Sequence, residues 1–283
     1  MKFKRILVTG SEGFIGFHVA RYFTEYGLAV VSFDKKNGQD LLDAKAVSKA
    51  LKGVDTICHL AAVGDVYLAA EKPELAQIAG PGGTALLCKI ASQMGIKKII
   101  YASTWEVYGK IQYQPVDEKH PCFPDHPYSI AKYAGELIVQ SKLSTVPWVI
   151  LRLGTSYGTH MRDNAVIPLF IKKAKAKEPI VIQGNGSQAR QFTHAKDIAN
   201  AFYLALEKDV ESEVFNIVSE ESITIAKLAK LISNYYPTKI EFTSSRIGDV
   251  EPAKVSSKKA KKLLGWEQKI SFGEGLKELI LTI

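Results

Sequence analysis

The sequence predicts an α/β protein built on a doubly wound parallel sheet, with a smaller mixed α/β lobe on its C-terminal side. Two observations predict this class. A glycine-rich turn stands between a strand pattern and a helix pattern near the N-terminus, and short apolar runs alternate with helical periodicity through the first half of the chain. Ligands of such folds bind at the carboxyl ends of the strands.

The first element is a strand from Phe3 to Val8, followed by a glycine-rich turn and a helix. Gly10 suits the tight turn, Gly13 lets the backbone approach a pyrophosphate, and Gly16 lets the helix pack closely on the strand. The unpaired N–H groups at the start of the helix attract an anion. This pattern indicates a Rossmann-type dinucleotide site.

The second strand, Leu28 to Phe33, ends in Asp34, close to where an acidic side chain meets the ribose of a dinucleotide. A carboxylate at this place binds the 2′-hydroxyl and repels a 2′-phosphate. The position therefore favours NAD over NADP, although Lys35 and Lys36 follow directly and weaken that preference.

Two further buried strands are predicted at Thr56 to Ala62 and Lys97 to Ser103, with a helix from Gly83 to Met94 between them. Their carboxyl ends bring Ala61 and Thr104 to the same edge of the sheet as the glycine-rich turn. We expect Tyr128 at this edge as well.

Tyr128 and Lys132 lie at i and i+4 in a helix that starts at Pro127 and continues through Leu143. This spacing places an ammonium group beside a phenol. The unperturbed pKa of a phenol is about 10, and a nearby positive charge favours the phenolate. The pair therefore predicts proton transfer to and from an alcohol.

The C-terminal half has a more mixed pattern. It starts with a strand from Trp148 to Leu153 and contains a basic amphipathic helix at 163–177, a strand from Ile180 to Ile182, and helices at 197–206, 222–235 and from 272 to the end. Asp197 is predicted to cap its helix. We assign residues 1–155 to the dinucleotide-binding domain, to which parts of 190–218 return, and residues 156–283 mainly to a substrate-binding lobe.

Composition narrows the functional classes. The chain has 283 residues, 46% apolar residues and a formal charge of +8. The main basic cluster, Lys258 to Lys262, is interpreted as a solvated helix face, so no nucleic-acid partner is predicted. Three cysteines without Cys-x-x-Cys spacing predict neither disulfides nor a metal site, and no apolar run is long enough to span a bilayer. A cytoplasmic protein is expected.

A series of motifs runs in order along the chain. Its first part comprises Thr9-Gly10-x-x-Gly13-x-x-Gly16, Asp34, Asp40-Leu41, His59-Leu60-Ala61-Ala62, Ser103-Thr104-Trp105-Glu106-Val107-Tyr108-Gly109 and Tyr128-x-x-x-Lys132. Its second part comprises Arg152 to Gly158, Gly184-Asn185-Gly186 with Arg190, Arg246-x-Gly248-Asp249 and Leu263-Leu264-Gly265-Trp266. Together they resemble the extended short-chain dehydrogenase/reductase family, which includes the nucleotide-sugar epimerases and dehydratases.

The resemblance implies a role for each matching position. The catalytic residues would be Thr104, Tyr128 and Lys132. The NAD-binding residues would be Gly10, Gly13, Phe14, Ile15, Asp34, Lys35, Asp40, Leu41, Leu60, Ala61, Ala62, Tyr128 and Lys132. The substrate-binding residues would be Thr104, Trp105, Glu106, Thr155, Arg190 and Arg246, of which the two arginines would bind the diphosphate.

Some positions depart from the family pattern. Gly80 and Thr155 stand where asparagines are usual. The dehydratases have Thr-Asp-Glu where this chain has Thr104-Trp105-Glu106, so it retains the glutamate and lacks the aspartate. We expect Trp105 to pack against the sugar or to block part of the pocket.

These features together predict an NAD-dependent nucleotide-sugar epimerase that acts at C4 of a UDP-hexose, as in the interconversion of UDP-glucose and UDP-galactose. One alternative is a UDP-sugar decarboxylase or sugar-nucleotide dehydratase that uses Glu106. A second alternative, from another class, is a catalytically silent NAD-binding regulatory protein. The resemblance also implies a homodimer formed through the helices around 84–94 and 128–143.

Overall fold

The computed structural model describes residues 3–244 and 253–283. Its strands are β1 (Arg5–Thr9), β2 (Ala29–Phe33), β3 (Thr56–His59), β4 (Lys98–Thr104), β5 (Trp148–Leu153), β6 (Thr155–Tyr157), β7 (Ile180–Gln183), β8 (Ala189–Arg190), β9 (Phe192–His194), β10 (Glu213–Ile217), β11 (Ile223–Thr224) and β12 (Ile240–Thr243). Its α-helices are α1 (Phe14–Glu25), α2 (Ala44–Ala50), α3 (Val66–Glu71), α4 (Pro73–Gln77), α5 (Gly83–Gln93), α6 (Pro127–Gln140), α7 (Val166–Lys175), α8 (Ala195–Glu207), α9 (Ile225–Tyr235), α10 (Lys258–Leu264) and α11 (Phe272–Thr282).

A parallel sheet of six strands lies at the centre, in the order β10-β5-β4-β3-β1-β2. The chain order reverses at β1, which pairs with β2 on one side and with β3 on the other. The carboxyl ends of β1 and β3 therefore border the crevice in which doubly wound folds bind ligands. The predicted fold class is confirmed.

Each face of the sheet has its own apolar core, because successive side chains of a strand point to opposite faces. In β1, Ile6 and Val8 pack with Phe202 and Trp266 on one face. Leu7 packs on the other face, in a cluster with helix α5. These two layers fix the strand ends that form the site.

Much of the C-terminal half forms a third core around α7, α9 and α11, with Phe170, Ile182, Leu228 and Phe272 in its interior. β10, in contrast, pairs with β5 and completes the central sheet. The domain boundaries given above stay a prediction.

Two local predictions need adjustment. His194 caps α8, and the carboxylate of Asp197 instead accepts hydrogen bonds at 3.1 Å from the N–H groups of Lys269 and Ile270, so the predicted capping role of Asp197 is wrong. The helix expected from residue 222 begins at Ile225, because the two residues before it pair with β8 as β11.

The structure also describes the cysteines and the length of the helices. Cys58, Cys88 and Cys122 are all free thiols. Within the described ranges, every helix is too short or too polar to cross a membrane.

Candidate active site

The glycine-rich turn has the geometry of a phosphate-binding loop. Gly10 has a φ of +72°, and a Cβ at Gly16 would lie 1.9 Å from the carbonyl oxygen of Gly10. α1 starts at Phe14 with Gly13 as its N-cap and has no side-chain cap, which leaves the first N–H groups, including those of Phe14 and Ile15, without intrahelical acceptors. The turn can therefore bind an anion.

Ser11 supports this assignment. Its side chain is 3% exposed, and its Oγ has no hydrogen-bond partner within residues 3–244 and 253–283. A buried hydroxyl without a partner is costly. A pyrophosphate oxygen at the turn would remove that cost, so the residues present fit a dinucleotide.

Asp34 lies at the end of β2 and points toward the same turn. Its Oδ2 accepts the N–H of Glu12 at 2.9 Å, and its Oδ1 accepts the N–H of Lys36 at 2.9 Å. Each carboxylate oxygen retains acceptor capacity for a ribose hydroxyl. The position is therefore compatible with the predicted ribose contact.

The predicted adenine-side residues adjoin this loop. The Nζ of Lys35 lies 3.4 Å from Oδ2 of Asp40. The pKa of Asp40 is lowered, first by the N–H of Leu42 and then by Lys35. Leu41 is 8% exposed and packs in the core with Phe33, so little of its side chain is available to a base.

A buried hydrogen-bonded chain holds the carboxyl end of β3 against the end of β1. Nδ1 of His59 lies 2.7 Å from Oγ1 of Thr9, and its Nε2 lies 2.9 Å from Oγ1 of Thr84. The N–H groups of Leu60 and Ala61 each donate to Oγ1 of Thr9 at 3.2 Å. The backbone leading to Ala62, on the predicted nicotinamide side, is thereby fixed.

The hydroxyl of Thr84 donates in turn to the carbonyl oxygen of Gly80 at 2.7 Å. Gly80 belongs to a π-helical turn, Ile78–Gly82, that leads into α5. A Cβ at Gly80 would lie 3.6 Å from the Cβ of Ala131 on α6. The residue that replaces the usual asparagine therefore lies against the helix that carries Tyr128.

Thr104 and Tyr128 meet at the carboxyl end of β4. Thr104 ends that strand and is 5% exposed. Tyr128 lies in the first turn of α6, where burial raises its pKa and a hydrogen bond with the side chain of Thr104 partly opposes that rise. A hydroxyl and a phenol are thus brought together as the sequence predicted.

Lys132 lies one turn further along α6 and is buried. Its Nζ donates to the carbonyl oxygen of Ala102 at 2.8 Å and lies 5.4 Å from the centre of the Tyr101 ring. Burial lowers the pKa of Lys132 to about 8, and the carboxylate of Glu136 opposes that effect.

The expected lowering of the Tyr128 pKa by Lys132 is wrong for this arrangement. Burial raises the pKa of Tyr128, and the negative charge of Glu106 raises it further. The physical reason is that removal from water disfavours the phenolate. In addition, the ammonium of Lys132 is directed to a backbone carbonyl.

Glu106 follows Thr104 in a short 3-10 helix, Trp105–Tyr108. Its Oε2 lies 3.2 Å from Nε2 of His126, the residue that precedes α6. Glu106 raises the pKa of His126. The sequence interpretation named Glu106 and did not assign a role to His126.

Trp105, Thr155 and Arg190 line one small cleft, together with Gln191, Val218, Ala253 and Val255. Three predicted substrate residues are therefore brought together. Arg246, which was predicted to bind the diphosphate with Arg190, lies outside the described residues.

One buried network was missed. Oε1 of Glu136 accepts a hydrogen bond from Nε of Arg152 at 3.0 Å, and Oε2 accepts one from Nη2 of Arg152 at 2.8 Å. The hydroxyl of Ser103 also donates to Oε1. A signal for it was present in the sequence, because Tyr128, Lys132 and Glu136 are spaced at i, i+4 and i+8 on one helix face.

Comparisons with known proteins show which proteins this chain is similar to. The model of the NAD dependent epimerase/dehydratase family matches residues 6–218. The chain is 31% identical to the dTDP-D-glucose 4,6-dehydratase of Mus musculus, with 98% of this chain and 88% of the relative covered. It is 30% identical to a putative UDP-glucose 4-epimerase of Methanocaldococcus jannaschii, with 97% of each covered.

A solved structure of similar shape is that of the UDP-glucose 4-epimerase of Thermotoga maritima with UDP-glucose. It has a TM-score of 0.91 and 29% sequence identity, and 98% of this chain and 97% of that chain are covered. The similar proteins thus include both epimerases and dehydratases.

Proposed function

Because the chain belongs to the NAD-dependent epimerase/dehydratase family, we propose that it is a nucleotide-sugar epimerase that inverts C4 of a UDP-hexose through a 4-keto sugar. The observation that supports this choice is the pairing of Thr104 with Tyr128 at the sheet edge, next to Trp105. An indole at that position cannot act as the acid that elimination of water requires.

The residues that would hold NAD are those of the glycine-rich turn, Asp34 and the end of β3. Bound there, the cofactor would supply hydride transfer to and from the sugar carbon. The side chains of Thr104 and Tyr128 handle the proton. Thr104 orients the C4 hydroxyl by hydrogen bonding, and Tyr128 takes its proton and later gives it back.

The raised pKa of Tyr128 suits the second of these two steps, because the phenol is a proton donor at neutral pH. The first step needs the phenolate, which burial and Glu106 disfavour in this arrangement. Lys132, which is charged below its pKa of about 8, is proposed to contribute to NAD binding. Arg190, in the cleft with Trp105 and Thr155, is proposed to bind the diphosphate.

The test is incubation of the purified protein and NAD with UDP-glucose and, separately, with UDP-galactose. We expect each to be converted to a mixture of both. Tyr128→Phe is expected to lower kcat by about 10²- to 10⁴-fold, the usual contribution of a positioned acid or base. Tyr133→Phe, a matched change on the same helix, serves as the control. No conversion of either substrate would reject the choice of sugar.

A second candidate function rests on Glu106. Its carboxylate lies close enough to Tyr128 to raise the pKa of the phenol, and an acid or base beside the reacting sugar is what elimination or decarboxylation requires. A dehydratase would yield a 4-keto-6-deoxy sugar, and a decarboxylase would release carbon dioxide from UDP-glucuronate. Mass spectrometry of the products distinguishes both from epimerisation.

A third candidate, a silent NAD-binding protein, is suggested by the replacement of two usual asparagines by Gly80 and Thr155. NAD binding without turnover of any sugar nucleotide would support it. We also propose a cytoplasmic location, since all three cysteines are free thiols.

The outer face of α6 supports the proposed homodimer. Ile130 is 43% exposed and Leu137 is 51% exposed, two helical turns apart on one face. Ile78, in the neighbouring π-helical turn, is 53% exposed. A second copy of this chain would cover this apolar stripe. Leu137→Glu is expected to convert a dimer to a monomer in light scattering, whereas Leu281→Glu, at an exposed leucine of α11, is not.

A further inference from the structure

His126 connects two parts of the site through one ring. Its Nδ1 accepts the N–H of Ser129 at 3.4 Å, and Oγ of Ser129 accepts the N–H of His126 at 3.3 Å, so the two residues form the capping box of α6. Serine, threonine, asparagine and aspartate are the usual N-caps, because their short side chains reach the backbone. An imidazole can make the same bond and still present a second nitrogen elsewhere.

That second nitrogen lies against Glu106. Nε2 of His126 is 3.2 Å from Oε2 of Glu106. Oε2 is shielded from solvent, and no group in the described ranges makes a hydrogen bond of good geometry to it. A shielded carboxylate oxygen needs a donor or a positive charge. His126 is the group placed to supply it.

Tyr128 lies two residues after His126, and the two rings are nearly parallel, with their centres 6.1 Å apart. The charged groups that face His126 are Glu106 from the 3-10 helix and Asp125 from the preceding loop, and both favour its protonated form. Glu106 also faces Tyr128 and favours its protonated form. One carboxylate therefore acts on both rings.

We propose that His126 is a positioning residue for Tyr128: through Nδ1 it caps the helix that carries the tyrosine, and through Nε2–H it offsets part of the negative charge of Glu106, the carboxylate that would otherwise disfavour the phenolate more strongly. This inference rests on the proposed function, in which Tyr128 transfers the proton.

The two tasks of the ring depend on its protonation. Nδ1 can accept from Ser129 only while it carries no proton, so the capped ring carries its proton on Nε2, toward Glu106. A second proton strengthens the pair with Glu106 and removes the cap. The cap bond, at 3.4 Å, is longer than the usual hydrogen-bond range and is therefore weak.

Four variants separate the tasks. His126→Asn retains a good N-cap and loses the contact with Glu106. Glu106→Gln retains an acceptor for Nε2–H and loses the negative charge. The double variant loses both the negative charge of Glu106 and the imidazole of His126 that faces it. His126→Ala, which also loses the cap, is expected to have a lower Tm than His126→Asn.

The kinetic readout is the acid limb of the pH profile of kcat/KM for epimerisation. In His126→Asn the uncompensated Glu106 is expected to move this limb to higher pH by about one unit, a tenfold loss of kcat/KM at a fixed pH on the limb. In Glu106→Gln the limb is expected to move to lower pH, and in the double variant to return close to the wild-type position. Equal profiles in all four proteins, or shifts of the two single variants in the same direction, would overturn the proposal.

A second readout does not need turnover. The chain has six histidines, so the ¹⁵N imidazole signals of His126 can be assigned by their loss in His126→Asn. We expect the Nε2–H tautomer and a pKa above the ordinary 6.5, which falls in Glu106→Gln. If the pKa of His126 were unchanged in Glu106→Gln, the interaction between His126 and Glu106 would be rejected. If the wild type turned over no sugar nucleotide, the proposed function would fail while this titration still decided whether the pair exists.

Discussion

Glu136 and Arg152 form a fully enclosed ion pair behind helix α6. Two N–H groups of the guanidinium bind the two carboxylate oxygens at 3.0 and 2.8 Å, and the residues are 0% and 5% exposed. Burial and the carboxylate act in opposite directions on Arg152, and its pKa is raised overall. The pair links α6, which carries Tyr128 and Lys132, to β5 of the central sheet.

Arg152→Gln is expected to destabilise the protein by about 3–5 kcal/mol, because it leaves a carboxylate buried without its partner. Urea unfolding measures the free energy. Arg21→Gln is the matched control, since Arg21 pairs with Glu25 at 67% and 55% side-chain exposure, and such pairs contribute less than about 1 kcal/mol. Similar losses in the two variants would contradict the assigned role of burial.

Gly16→Ala is expected to distort the glycine-rich turn, because the added methyl group would lie 1.9 Å from the carbonyl oxygen of Gly10. The cost is about 1–3 kcal/mol in stability, together with loss of NAD affinity. Calorimetric titration with NAD measures the affinity. Gly273→Ala in α11, where nothing lies within 4 Å of the new Cβ, should bind NAD as the wild type does. Unchanged NAD binding in Gly16→Ala would exclude this turn as the pyrophosphate site.

Lys132→Met is expected to stabilise the ligand-free protein at pH 7 while it abolishes turnover. The fall of the Lys132 pKa from 10.5 to about 8 corresponds to roughly 3 kcal/mol of destabilisation while the ammonium is charged in both states. Loss of the hydrogen bond to Ala102 reduces the gain to about 1–2 kcal/mol.

The pH dependence of stability tests whether the charged Lys132 destabilises the folded protein. Between about pH 8 and 10.5 the unfolded chain retains a proton at Lys132 that the folded chain has lost, so the contribution of Lys132 to stability rises with pH. The difference between Lys132→Met and wild type should therefore narrow across this window in thermal or urea unfolding. Lys89→Met, at an exposed position of α5, should change stability by less than about 0.5 kcal/mol. A difference in stability between Lys132→Met and wild type that stayed constant across this pH window would show that burial does not lower the pKa of Lys132.

Asp65→Asn is expected to speed the dissociation of NAD. Asp65 caps α3 just after β3 through Oδ1, and its Oδ2 pairs with Arg162, which lies in the loop that follows β6. The pair joins the two sides of the predicted NAD crevice. Asparagine retains the cap and loses the charge, so a severalfold increase in the off-rate without a change in Tm is expected.

Stopped-flow fluorescence of NAD release measures this rate. Arg162→Gln should give the same increase, and the double variant should add nothing further, since both remove one interaction. Lys172→Gln, which breaks an exposed pair with Asp163 in the same lobe, is the control. Additive effects of the two changes would contradict a direct Asp65–Arg162 contribution.

Much of the fold could be predicted because its determinants are local. Apolar runs of strand length and helices with 3.6-residue periodicity indicate the doubly wound sheet, and the sheet then brings every strand end to one edge. Thr104 and Tyr128 meet for this reason. The ends of some elements differ from the predicted ends. The helix expected at 163–177 is limited to Val166–Lys175, and the strand expected to reach Ala62 ends at His59.

Interactions between distant segments could not be predicted in this way. Asp197 has the position of a helix-capping residue, yet its carboxylate accepts N–H groups from residues near 270. Glu136 meets Arg152 because α6 packs on β5, and His126 meets Glu106 because α6 begins beside the end of β4. Local periodicity places Glu136 on the same helix face as Tyr128, but it does not reveal the distant partner in any of these pairs.

The residue types and their order were enough to place a phenol, a hydroxyl and an ammonium at the ligand-binding edge of the sheet. The chemical state of those groups depended on the tertiary structure. Burial raises the pKa of Tyr128 and lowers that of Lys132, and Glu106 adds to the first effect. Such shifts depend on how much water the fold removes and which charges it brings near, and neither quantity is a property of a motif.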